Sequence, residues 1–117
     1  MNNKPRLYNL EKLYSIENKD TDFIREVVVL FINTIPNTSN ELVQAAIEKK
    51  WDDVYFLAHK MKATIDLLNI ETLQKEIRLV EENAKSKIND DALRKKISFI
   101  HNTIEKVAHQ LQEDFVS

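Results

Sequence analysis

At 117 residues and 43% hydrophobic content, the chain can close one hydrophobic core but not two. Charged side chains make up 31% of it and nearly cancel to a formal net charge of -2, which argues against a general nucleic-acid binder needing a basic face. With zero glycines, the P-loop and Rossmann glycine fingerprints are excluded, and an all-α protein is favoured over one built from hairpins. A single domain over residues 1–117 is expected, with residues 1–6 flexible.

In chain order, Tyr8 to Ile16 forms a short helix with Asn9 as N-cap and Leu10, Leu13 and Tyr14 along one side. Glu17 to Asp20 interrupts it. Asp20 caps a second helix, whose apolar positions include Phe23, Val27, Phe31 and Ile35 and which Pro36 ends. Thr38-Ser39-Asn40-Glu41 matches a capping box and opens a third helix burying Leu42, Val43, Ala46 and Ile47 and finishing at Lys49 and Lys50. A fourth runs from Trp51 to Leu68, with Asn69 as a left-handed terminator. Leu73, Ile77, Val80 and Ala84 form the seam of a fifth. Lys85 to Asn89 is a polar connection, and Asp90 and Asp91 open the last helix, with seam Leu93, Ile97, Ile100, Ile104, Val107 and Leu111. Short links between these segments predict an antiparallel up-down four-helix bundle, with two additional N-terminal helices packed across it.

The fourth helix carries the chemistry. At about 100° per residue, Val54, Leu57, Met61, Ile65 and Leu68 gather on one side, with Ala58 at its edge. His59 projects almost opposite, sharing its outward sector with Tyr55, Lys62, Ala63 and Asp66. A neutral imidazole nitrogen is a good nucleophile near physiological pH, and the N–P bond it forms is labile enough to pass a phosphoryl group on. Lys62, one turn along, can place a cation near phosphoryl oxygens, and the small Ala63 leaves room for a partner's active site. A lone surface histidine is more often an inert occupant of a solvated face, so the residues alone leave both readings open.

Other candidates are weaker. His101 lies near the Ile97–Ile104 seam and is expected to be partly buried, whereas His109 faces solvent; neither has a lysine three residues later. Glu105 and His109, four apart, could share a metal but gather no further ligands. Glu81, Glu82 and Glu113 read as solvated helix faces. With no cysteine, there is no disulfide framework or thiol nucleophile, which fits a reducing cytosol. The start lacks an apolar signal segment, and no stretch is apolar enough to span a bilayer.

The stretch Ala58-His59-Lys60-Met61-Lys62-Ala63-Thr64, continued by Ile65-Asp66-Leu67-Leu68-Asn69, resembles the signature of histidine-containing phosphotransfer (HPt) domains. That signature reads roughly Ala-His-x-Leu-Lys-Gly-Ser/Ala, followed by an apolar residue and a later glycine. Ala58, His59, Lys62 and Leu68 match it directly, and Met61 conservatively. The likeness extends over nearly the whole chain, through the apolar second helix with Phe31, Trp51 ahead of the motif, and the leucine-bearing helix after it.

The resemblance implies a four-helix bundle whose exposed His59 takes a phosphoryl group from one receiver-domain aspartate and passes it to another, with Lys62 as electrostatic support. It implies a cytoplasmic monomer with no kinase activity and no cofactor of its own; Mg²⁺ belongs to the receiver. The partners implied are receiver domains of response regulators and of a hybrid sensor histidine kinase, with neither nucleic acid nor membrane. Tyr55, Phe56, Lys60, Ala63, Asp66 and Leu67 would form the partner-binding surface. Tyr55 and Phe56 stand where polar residues are common, so they either form an apolar docking patch or Phe56 tucks beneath the first two helices. Ala63 and Asn69 replace the usual glycines; Asn69 tolerates a left-handed backbone, while the Ala63 methyl beside the ring can narrow the choice of partner. Two other readings are a degenerate HPt-fold adaptor that binds receivers without carrying phosphate, and a metal-dependent enzyme on the same helices.

Overall fold

A chain without glycine must turn its corners with other residues, and three of them here adopt a positive φ: Lys49 at 58°, Asn69 at 49° and Lys87 at 58°. Each stands two residues beyond the last residue of a helix, just after the capping residue, where a left-handed residue lets the trailing N–H groups reach back to the final carbonyls. After Ile47, the Lys50 N–H bonds the Ala45 carbonyl at 2.9 Å and the Lys49 N–H bonds Ala46 at 3.1 Å. The same pattern recurs at Asn69, with Ile70 bonding Ile65 at 3.0 Å and Asn69 bonding Asp66 at 3.1 Å. Asn69 is thus the left-handed terminator that its position suggests.

The computed structural model describes residues 5–16, 20–87 and 91–116. Among them are five helices and no strand: α1 (Glu11–Tyr14), α2 (Thr21–Ile47), α3 (Trp51–Leu67), α4 (Glu71–Lys85) and α5 (Asp91–Phe115). The fold is all-helical, as composition indicates, but it is divided differently. The expected first helix shrinks to the single turn of α1, though the Asn9 side chain still accepts the Glu11 N–H at 2.9 Å. The interruption expected from Glu17 to Lys19, the end of the connection at Ile88 and Asn89, and the opening expected at Asp90 lie outside the described residues.

The main correction concerns Pro36, which does not end a helix: the expected second and third helices are one 27-residue α2 with Pro36 inside it. Asp20 caps its start, accepting the Phe23 N–H at 2.9 Å. The buried stripe Ile24, Val28, Phe31, Ile35, Thr38, Ser39, Leu42, Ala45 and Ala46 keeps helical spacing straight through the proline. Burying each large apolar side chain contributes about 1.5–3 kcal/mol, enough together to outweigh a helix-interior proline that costs about 3 kcal/mol. The Thr38–Glu41 capping box does not form. Thr38 Oγ1 instead donates to the Thr34 carbonyl at 3.2 Å, and Glu41 is exposed. Phe31, Ile35, Leu42 and Ala46 are buried as expected, whereas Phe23, Val27 and Val43 are only half-buried and Ile47 is 63% exposed, with Ile24 and Val28 taking the inward places in the first turns.

Helix α3 packs against α4 and α2, and α5 packs against α2 and α4. Ser39 meets His101, and the Arg25 Nε donates to the Phe115 carbonyl at 2.8 Å, so α2 and α5 run antiparallel. The seams of α3, α4 and α5 are buried as their spacing predicts, with Met61, Ile65, Leu73, Ile77, Ile104 and Leu111 fully enclosed. The two expected N-terminal crossing helices are absent as such: one is the first half of α2, the other is α1.

The segment ahead of α1 lies along the end of α5. Arg6 pairs with Asp114 at 2.6 Å, the Leu7 N–H donates to Gln110 Oε1 at 3.0 Å, and the Tyr8 hydroxyl donates to Asp114. Burial, reinforced by that carboxylate, pushes the Tyr8 phenol above its ordinary range. The flexibility expected of residues 1–6 falls, for residues 1–4, outside the described residues. No described helix is long and apolar enough to cross a membrane.

Candidate functional site

Helix α3 holds His59 by burying the residues on either side of it. Ala58 and Met61 are fully enclosed and Leu57 nearly so, which fixes the helix rotation and turns position 59 away from the core. The His59 side chain is 60% exposed. Tyr55, one turn earlier, lays its ring against the imidazole, with centroids 6.1 Å apart and planes inclined by 14°.

The decisive neighbour comes from α4. One oxygen of the Glu81 carboxylate bonds His59 Nδ1, and the other accepts from Lys62 Nζ at 2.9 Å. A single carboxylate therefore bridges the histidine and the lysine. The Glu81 side chain is only 15% exposed. Burial by itself raises its carboxyl pKa, but the hydrogen bonds from Lys62 and His59 outweigh it and hold the group below the ordinary carboxylate value. One turn back on α4, Arg78 Nη1 reaches Asp66 Oδ1 at 3.1 Å and forms a second ionic rung between the same two helices.

This corrects the reading of Glu81 as a solvated face. It is the residue that sequence reasoning missed, and the available signal was its place beside Val80, at the edge of the Leu73–Ile77–Val80–Ala84 seam. Lys62 also differs from expectation: its ammonium is within reach of His59's surroundings but is already paired.

The six surface residues divide into two groups. Phe56 is 65% exposed, so it does not tuck beneath the N-terminal elements. Lys60 and Ala63 are exposed and Tyr55 is half-buried, and these share the open face with His59. Asp66 is engaged by Arg78, and Leu67 packs partly against the core. Among the described residues, no group of three or more histidine, cysteine or acidic side chains could hold a metal. Glu105 lies 3.8 Å from His101 rather than beside His109, whose ring is 3.9 Å from Glu113. His101 is half-buried, with its Nδ1 2.8 Å from Ser39 Oγ.

No family model, curated protein or solved structure matches the chain.

The site thus combines an exposed nucleophilic ring, a carboxylate bonded to one of its nitrogens, and an ammonium on the far side of that carboxylate. It lies on a helix face open to solvent. Such an arrangement suits reaction with a group delivered by another macromolecule.

Proposed function

We propose that this chain is a histidine phosphotransfer protein of the HPt type, a cytoplasmic monomer in which α2, α3, α4 and α5 form an antiparallel up-down four-helix bundle. His59 accepts a phosphoryl group from a receiver-domain aspartate and passes it to another receiver. The observation that carries this reading is the 60% exposed His59 ring, mounted on a helix whose opposite face is buried and with Lys62 one turn away. The resemblance of Ala58–Asn69 to the HPt signature supports it.

In the reaction, a ring nitrogen uses its lone pair to bond phosphorus while the P–O bond to the aspartyl carboxylate breaks, its electron pair leaving with that carboxylate. The reverse exchange on a second receiver completes the relay. The chain contributes an accessible, oriented nucleophile and a nearby cation. The receiver contributes Mg²⁺ and its carboxylates, so the chain is a carrier with no kinase activity of its own. Tyr55, Phe56, Lys60 and Ala63 form the face that meets the receiver.

The test is incubation with a radiolabelled phosphorylated receiver, followed by acid and alkali treatment of the product. The wild type acquires acid-labile, alkali-stable label, and His59→Gln acquires none. Lys62→Ala slows transfer about tenfold, which corresponds to about 1.4 kcal/mol of barrier. Label persisting in His59→Gln, or absent from the wild type with every cognate receiver, refutes the reading.

The second reading, an adaptor that binds receivers without carrying phosphate, is favoured by the pairing of Lys62 with Glu81. It predicts receiver binding that is unchanged in His59→Gln and no label on either protein.

A further inference from the structure

We propose that the cavity between α1, the end of α3 and α4 binds a small zwitterion with two carboxylates and one ammonium. That is the charge set of an acidic amino acid, or of a dipeptide ending in one. The proposal is independent of the role given to His59.

The cavity measures about 700 Å³, within the range of small-molecule sites. Lys12 enters it from α1, Asp66 from α3, and Lys75, Arg78 and Glu82 from α4. Two of these charges cancel inside the protein. Arg78 Nη1 donates to Asp66 Oδ1 at 3.1 Å and to the Gln74 carbonyl at 2.9 Å, and Nη2 donates to Asp66 Oδ2. With Arg78 committed to Asp66, Glu82 loses the cation that stands four residues before it on the same face. Glu71 stands one turn before Lys75, in the orientation that favours an ion pair, yet Lys75 lines the cavity instead. Among the described residues, neither Lys12, Lys75 nor Glu82 belongs to an ion pair.

Two ammonium groups and one carboxylate therefore face a common space without partners. A ligand complementary to them carries the opposite set, two carboxylates and one ammonium. The neutral groups fit the same description. Gln74 Nε2 donates to Asn69 Oδ1 at 3.2 Å, which leaves Asn69 Nδ2 to donate to a ligand carboxylate and Gln74 Oε1 to accept from a ligand ammonium. A plain dicarboxylate satisfies both lysines but leaves Glu82 unanswered, and a polyphosphate sets further negative charge against it.

The experiment titrates the full ¹⁵N-labelled chain with L-glutamate, with alanyl-glutamate and with glutarate, which keeps both carboxylates and lacks the ammonium. Ionic strength is held constant at about pH 7, where all these groups are charged. Both zwitterions produce saturable amide shifts in α1, the Asn69 turn and α4, with a Kd of about 1 mM, the range of a ligand held by a few exposed charge pairs. Glutarate binds about threefold more weakly, and Lys12→Ala and Lys75→Ala each weaken all three ligands about threefold. Glu82→Gln abolishes the preference for glutamate over glutarate. Lys95→Ala, an exposed lysine on α5, leaves every Kd unchanged. Tighter binding of alanyl-glutamate than of glutamate identifies a peptide as the ligand, and the reverse order identifies the free amino acid.

Absence of saturable shifts from either zwitterion at about twentyfold above that Kd overturns the proposal. So does equal affinity of the wild type for glutamate and glutarate. Unchanged glutamate binding in folded Lys12→Ala and Lys75→Ala, or a loss in Lys95→Ala as large as theirs, overturns it as well.

Discussion

Replacing Pro36 with alanine separates the observed continuous α2 from two helices meeting at the proline. In α2, Pro36 has no N–H to offer the Ile32 carbonyl, and its ring crowds that turn. A helix-interior proline costs about 3 kcal/mol relative to alanine. Proline also restricts the unfolded chain, an advantage of about 0.4–1 kcal/mol that the substitution gives up. Pro36→Ala is therefore expected to stabilise the protein by about 2 kcal/mol. At about 4 °C per kcal/mol for a chain of this size, Tm rises by about 8 °C. Urea and thermal unfolding followed by far-UV circular dichroism measure both quantities. Glu41→Ala is the companion measurement. Glu41 lies exposed in mid-helix, so its loss changes stability by less than about 0.5 kcal/mol, whereas breaking a capping box would cost about 1 kcal/mol. A neutral or destabilising Pro36→Ala together with a costly Glu41→Ala would refute the continuous helix.

Three further outcomes follow from the packing and the turns. Because the folded Glu81 carboxyl sits below its ordinary value of 4.5, its contribution to stability is complete above that pH and is lost as pH falls through the lowered folded value. Glu81→Gln should flatten that acid limb in urea titrations at a series of pH values, and an unaltered limb would exclude the linkage. Lys49→Gly and Lys87→Gly, each relieving a side chain in a left-handed turn, should each stabilise by about 1 kcal/mol, with Asn69→Gly gaining less; chemical denaturation of the single variants checks this. Met61→Ala, opposite His59 in the fully enclosed seam, should cost about 3 kcal/mol in the same assay, and a loss below about 1 kcal/mol would mean that the seam is not packed as described.

What the sequence conveyed well was one-dimensional periodicity. The stripe Val54-Leu57-Met61-Ile65-Leu68 is buried as its spacing requires, and with it came the outward direction of His59. The seams of α4 and α5 were equally legible. Pro36 misled because local preference ends a helix there, while the stripe that continues past it is interrupted by Thr38 and Ser39, whose hydroxyls hide an inward face. Both are satisfied inside, Ser39 by the Pro36 carbonyl at 2.9 Å and by His101. Glu81 was hidden for a different reason. Periodicity places it beside a seam but does not say which helix it faces, and only the pairing of α4 with α3 brings it to His59.

That pairing has a consequence for how the site comes into being. His59, Lys62, Tyr55 and Glu81 all lie between Trp51 and Lys85, in two helices joined by the tight turn at Asn69. The loop to be closed is short, so the entropy lost in bringing these groups together is small. Contacts between α2 and α5, such as Arg25 with Phe115, must instead close most of the chain. The constellation is thus low in contact order within a fold whose outer pairing is high, and its groups can meet while that longer closure is still to be made.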